Sequence, residues 1–188
     1  MVSMPTHTLL LLRHAKSAYP EGMVDHDRPL APRGVRQAAL AGDWIRANAP
    51  NVDAVLCSTA TRTRQTLART GIEAPVRYVE RIYGASPGEV IDEINGVQPR
   101  FGAEPATLLV IGHEPTISAV ALGLSDGTNP GAADAISQKF PTSAIAMLRP
   151  SGTVCYIGLP GGKRDELRAS IAAITNRELS VRGYNVVT

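Results

Sequence analysis

A chain of 188 residues with 44% hydrophobic and 19% charged side chains can bury a core, and its length fits a single domain, 1–188. Its 19 basic and 17 acidic residues are dispersed and sum to +2, which excludes a basic face for nucleic acid and makes any anion recognition local. The N-terminal apolar run is too short for a signal peptide or a membrane span, and Cys57 and Cys155 have neither metal-ligand spacing nor a disulfide framework, so a cytoplasmic protein with buried, reduced cysteines is expected. Arginine supplies 16 of the 19 cations, the signature of high-GC bacterial coding.

In chain order, Leu9 to Leu12 reads as a buried strand stopped by Arg13 and His14. Apolar positions from Pro32 to Ala49 recur at helical spacing. Val52 to Cys57 is a second strand, Thr61 to Thr70 a helix closed by Gly71, and Val76 to Val79 a short β-branched strand. Pro87 to Val97 reads as one helix, Thr107 to Ile111 as a strand, and Pro115 to Leu124 as a helix with proline at its first position. Ser125 to Gln138 is rich in Gly, Asn, Asp and Pro and is expected to be a surface loop. Thr142 to Leu148 and Thr153 to Leu159 form a hairpin through Arg149 to Gly152, and Lys163 to Thr175 is a last helix. Strands alternating with helices predict an α/β three-layer sandwich: a mostly parallel sheet with helices on both faces and an antiparallel element late in the chain.

Ligands of such sheets bind beyond the carboxyl ends of the strands. Residues following Leu12, Cys57 and Ile111 should therefore share one crevice, which brings together Arg13, His14, Arg62 and His113. Two guanidiniums and two imidazoles repel one another unless an anion sits among them, and the arginine fork matches phosphate oxygens. One imidazole nitrogen can attack phosphorus while the other is held by a hydrogen bond, giving a phosphohistidine that water then cleaves. Arg13, Arg62 and His113 would stabilise the charge of the transferring group. An alkoxide leaving group also needs a proton, for which Glu80 is the candidate.

The segments Leu11-Leu12-Arg13-His14-Ala15-Lys16-Ser17, Arg28-Pro29-Leu30 with Arg33-Gly34 and Gln37-Ala38, Ser58 to Thr66, and Gly112-His113-Glu114-Pro115 resemble the histidine phosphatase superfamily. Within it the chain looks most like the SixA branch of phosphohistidine phosphatases, across about residues 8–160, with 161–188 as a C-terminal extension. The resemblance implies a phosphoglycerate mutase-like fold and a metal- and cofactor-independent phosphatase. It implies His14 as nucleophile, Arg13, Arg62 and His113 on the phosphoryl group, and Glu80 where the mutases place their acid. Ser17 matches a position that can touch substrate, and the Glu114 N–H at a helix start could do the same. Ala15 and Ala31 depart from the family pattern of glycine and threonine, the latter removing a helix-capping hydroxyl.

Only 26 residues separate Glu80 from Thr107, too few for the large helical lid of the mutases. An unroofed site suits a phosphorylated protein, including a phosphohistidine. A small phosphorylated metabolite as substrate and a non-catalytic phosphate-binding module are the alternatives. Asp25-His26-Asp27 cannot easily converge on one metal ion and is expected to be a solvated loop bordering the crevice. Arg64 should face away from Arg62, and His7 should fray with the terminus.

Overall fold

The structure is a computed structural model describing residues 7–125, 130–148 and 155–157. Its six strands are β1 (Thr8–Arg13), β2 (Ala54–Ser58), β3 (Val76–Val79), β4 (Thr107–Gly112), β5 (Ile145–Leu148) and β6 (Cys155–Ile157). They form one sheet in the order β3-β2-β4-β1-β5-β6. The first four run parallel, while β5 is antiparallel to β1 and β6 to β5.

The leucine run is unbroken because β1 is covered on both faces. Leu9 and Leu11 pack with Val90 and Ile94 of α3 (Pro87–Asn95) and Ile117 and Val120 of α5 (Thr116–Gly123). Leu10 and Leu12 pack with Trp44 and Ile45 of α1 (Pro32–Asn48) and Leu67 of α2 (Thr61–Thr70). This is the expected three-layer α/β sandwich. The helix over Thr61–Thr70 ends as expected, with Gly71 in the left-handed conformation at φ 66°.

Four expectations about elements are corrected. The helix from Pro87 ends at Asn95, and after Gly96 a separate short α4 (Val97–Phe101) begins. The helix expected from Pro115 starts at Thr116, with Pro115 one place before it. Part of the expected loop is a helix, α6 (Pro130–Gln138), which carries Ile136 into the core beside Phe140. Burial of that apolar face outweighs the local turn chemistry that its Gly and Asp suggest. Strand β5 begins at Ile145 rather than Thr142, because Ser143 takes φ 64° in a turn whose N–H donates to the Arg13 and His14 carbonyls. The segment between Ile82 and β4 holds only α3 and α4, and no described helix is long and apolar enough to cross a membrane. The expected turn at Arg149 to Gly152, the helix at Lys163 to Thr175 and the extension 161–188 lie outside the described residues. His7 does not fray: its Nδ1 lies 3.2 Å from the Pro105 carbonyl oxygen.

Helix α1 approaches the loop after β1 so closely that a Cβ on Gly34 would stand 2.0 Å from the Lys16 carbonyl oxygen. Glycine is required there because backbone cannot yield as a side-chain tip can. Gly34→Ala is expected to lower stability by about 2 kcal/mol through overpacking and to displace the loop that carries His14. A urea unfolding midpoint equal to wild type would contradict this.

Candidate active site

Register alone lines up the chemistry. Arg13 pairs with Gly112, Cys57 with Ile111, and Ser58 with Val79. The residues just beyond these pairs, His14, His113, Thr59 and Glu80, therefore stand side by side along the carboxyl edge of the sheet. Their neighbour Arg62 rises from the first turn of α2 and is only 6% exposed. The structure brings Arg13, His14, Arg62 and His113 close together at this edge of the sheet.

His14 is buried, and its Nδ1–H donates to the Ala15 carbonyl at 2.8 Å, which leaves the lone pair on Nε2. The supporting loop is itself tied down. Ala15 N–H donates to Thr66 Oγ1 at 3.0 Å, and Lys16 N–H to Gln37 Oε1 at 3.1 Å. Burial holds the His14 imidazole down at a pKa of about 4, against the Ala15 hydrogen bond, with Arg62, Arg13 and Arg28 adding to the depression. The ring is thus neutral and nucleophilic at neutral pH.

The ring centroid of His113 lies 5.2 Å from that of His14. Its Nε2 is 2.8 Å from Ser58 Oγ, which accepts the Ala60 N–H at 3.4 Å. The Ser58 hydroxyl keeps a second lone pair, so this contact fits either imidazole tautomer. The ring's Nδ1 is buried and has no hydrogen-bond partner among the described residues. Burial, and then His14 and Arg62, hold the His113 pKa down at about 3, with Asp25 opposing. His113 is therefore neutral at neutral pH rather than the fixed cation expected from sequence.

Arg62 already has an anionic partner in Asp25, which it shares with Arg28 rather than Arg13. Arg62 donates to the Asp25 backbone carbonyl at 2.5 Å and to its Oδ2 at 2.9 Å, while Arg28 reaches Oδ1 at 2.6 Å. The Tyr83 hydroxyl adds a hydrogen bond to Oδ2 at 2.8 Å. Tyr83, then Arg62 and Arg28, hold the Asp25 carboxyl at a pKa of about 2 against its partial desolvation. The segment Asp25–Asp27 borders the crevice as expected but is an ion-paired 3-10 turn rather than a merely solvated loop. Among the described residues no cluster of three or more His, Cys, Asp or Glu could hold a metal ion.

The remaining candidates divide. Arg13 donates to the Phe140 carbonyl at 2.6 Å, while its Nε has no partner. Ser17 Oγ accepts from Arg28, whose Nε donates to the Ala18 carbonyl at 3.0 Å, so Ser17 helps place a cation beside the crevice. Glu80 is exposed on the rim and accepts from Thr59 Oγ1 at 2.5 Å. Glu114 is corrected: α5 starts two residues later, and the Glu114 carboxylate instead accepts from the N–H of Ser118 at 3.1 Å and its hydroxyl at 2.6 Å. Its side chain thus caps the helix, whose first turn does not include the Glu114 N–H. Arg64 is exposed and lies over the Tyr78 ring, away from the site.

Sequence reasoning missed Asp25, Ser58 and Tyr83 as contributors. Ser58 was findable, since it ends β2 just as Arg13 ends β1. Asp25 lies 37 residues from Arg62, and no local pattern links them.

The sequence profile of the histidine phosphatase superfamily (branch 1) matches residues 9–95. A Nakamurella multipartitia protein described as a phosphohistidine phosphatase SixA is 43% identical, with TM-score 0.70, over 78% of this chain and 86% of its own. The chain belongs to the histidine phosphatase superfamily. An uncharacterized Mycobacterium tuberculosis relative is 66% identical over 143 residues, 75% of this chain and 88% of that protein. A second protein described as SixA, from Agrobacterium tumefaciens, is 28% identical with TM-score 0.69, over 84% of this chain and all of its own. This histidine phosphatase is accordingly a phosphate-hydrolysing enzyme with the SixA-like, phosphoglycerate mutase-like fold.

The neutral imidazoles set its pH behaviour. A pKa held below the ordinary 6.5 means that His14 loses its lone pair to a proton only below about 4. The acid limb of kcat/KM, which reports the free enzyme, is expected near pH 4. Between 6.5 and about 4 the unfolded chain binds protons that the folded phosphatase does not, so its stability falls as pH drops through that window. An acid limb traced to His14 near pH 6.5 would show a hydrated site.

Proposed function

We propose that this phosphatase removes phosphoryl groups from phosphohistidine on proteins through a covalent intermediate on His14. The observation that carries the nucleophilic step is the Nδ1–H bond of His14 to the Ala15 carbonyl, which leaves a neutral Nε2 with its lone pair free. Nε2 forms a bond to phosphorus as the bond from phosphorus to the leaving nitrogen breaks, and that imidazole takes up a proton. Water then attacks phosphorus, releases inorganic phosphate and restores His14. Arg13, Arg62 and His113 bind the phosphoryl oxygens, and Ser17 holds Arg28 beside them. The likeness to two proteins described as SixA and the absence of a helical roof between Ile82 and β4 support a protein substrate.

A second reading, a phosphomonoesterase for small metabolites, is favoured by one feature. Glu80 stands at the rim in a hydrogen-bonded position suited to a general acid, and only a poor leaving group such as an alkoxide needs one strongly. Glu80→Gln is expected to lower kcat/KM for a sugar phosphate at least about 100-fold and that for phosphohistidine by less than about threefold. The test is a comparison of both substrates with wild type and variant. Equal losses on both would remove the leaving-group distinction, and a wild-type preference for sugar phosphates would favour the second reading.

A further inference from the structure

Behind Glu80 lies a chain of hydrogen bonds that the reaction as described does not use. Thr59 Oγ1 is 2.5 Å from Glu80 Oε2 on one side and 3.0 Å from His26 Nε2 on the other. His26 Nδ1 in turn faces Asp27 Oδ1 at 3.3 Å. The Tyr83 ring meets His26 edge-on at 4.8 Å between centroids and His113 at 5.5 Å, so the same aromatic group holds both imidazoles. Three separate segments, the turn Asp25–Asp27, the end of β2 and the end of β3, thus converge on one hydroxyl.

A threonine hydroxyl between an imidazole and a carboxyl can be fully satisfied in two polarities. In one, His26 carries a proton on both nitrogens, Nε2–H donates to Thr59, and Thr59 donates to an ionised Glu80. In the other, Glu80 is protonated and donates to Thr59, Thr59 donates to the Nε2 lone pair, and His26 keeps only Nδ1–H toward Asp27. The two states hold the same number of protons and differ by one proton passed through Oγ1. Asp27 and Glu80 lie at the ends of the chain, and Tyr83, His113 and the Asp25–Arg62 pair flank it.

We propose that His26 and Thr59 form a proton relay that serves Glu80. The step starts with one proton more than either state, on the Glu80 oxygen facing the leaving group, and with His26 protonated on both nitrogens. As Glu80 releases that proton to a leaving oxygen, its other carboxyl oxygen takes the Thr59 hydroxyl proton, and Thr59 takes the proton on His26 Nε2. No atom is left short, and His26 later regains a proton from solvent. His26 touches neither substrate nor phosphorus and is a positioning residue acting through Thr59. Glu80 is exposed, so water competes with the relay, and the expected effect is about tenfold within the 10²–10⁴ typical of general acid catalysis.

The inference rests on the reading of Glu80 as proton donor. The test measures kcat, KM and the dependence of kcat on deuterium content with glycerol phosphate. The proteins are wild type, His26→Ala, Thr59→Val, Thr59→Ser, Glu80→Gln and the His26→Ala/Glu80→Gln double variant. His26→Ala and Thr59→Val are expected to lower kcat about tenfold with KM within about twofold, and to turn a bowed isotope dependence linear. Thr59→Ser keeps a hydroxyl and should restore both kcat and the bowed dependence. The double variant should match Glu80→Gln alone. Equal losses in Thr59→Ser and Thr59→Val, or losses with an unchanged isotope dependence, would mean that the chain is only structural and would overturn the relay. A crippled Glu80→Gln beside unaffected His26→Ala and Thr59→Val would overturn the relay alone. Undiminished glycerol phosphate hydrolysis by Glu80→Gln would remove the donor reading and the relay with it.

Discussion

His14→Ala is expected to lower kcat/KM by at least about 10⁴-fold on every phosphorylated substrate and to abolish trapping of labelled phosphate on the protein. The size of the loss follows from the site's construction. Every other polar group in the crevice can bind or polarise a phosphoryl group, but only His14 combines a directed lone pair, burial and a neutral ring. The His113 ring is also neutral, yet its Nε2 is engaged by Ser58 and its Nδ1 is buried, so it cannot take over as nucleophile. A rapid acid quench after mixing with labelled substrate should catch the phosphohistidine on wild type only. Labelled protein or residual turnover in His14→Ala would sink the assignment of the nucleophile.

Arg62→Ala is expected to lower kcat/KM about 10³-fold, more than the loss of a single phosphoryl contact would account for. Arg62 has two tasks. In the proposed reaction it holds the phosphoryl group, and in the structure it neutralises Asp25 through bonds to the backbone carbonyl and to Oδ2. With Arg62 gone, the Asp25 carboxylate remains ionised because Tyr83 and Arg28 still hold it, and it then repels an incoming dianion. Arg62→Ala/Asp25→Asn should therefore recover about tenfold over Arg62→Ala, since a like charge near the site costs on the order of 1 kcal/mol. A double variant no better than the single one would show that Asp25 exerts no such repulsion. Thermal unfolding of each protein separates the effect from loss of the fold, because Arg62 is buried.

The strand ends were legible because a strand covered on both faces must be apolar throughout. Where Leu12 gives way to Arg13, or Ile111 to Gly112 and His113, the change marks the carboxyl edge of the sheet. The helix over Thr61–Thr70 was equally plain, since Gly71 closes it. Helix α6 was hidden, because its sequence favours turns and only the contact of Ile136 with the core makes a helix the better choice. Glu114 was misread for a related reason: capping by its own side chain depends on where the backbone turns into α5, and motif spacing does not record that.

By itself the sequence determined where the strands end, and with that it brought forward Arg13, His14, Arg62 and His113 as candidates for a phosphoryl site. Residue type and the alternation of strands and helices suffice for that, since both are local. Only the tertiary structure decided the charge and tautomer of those groups. The neutrality of both imidazoles comes from burial and neighbouring cations, and the balance at Arg62 from Asp25. Protonation depends on distance and desolvation between segments far apart in the chain, and these exist only once the sheet and its loops have closed.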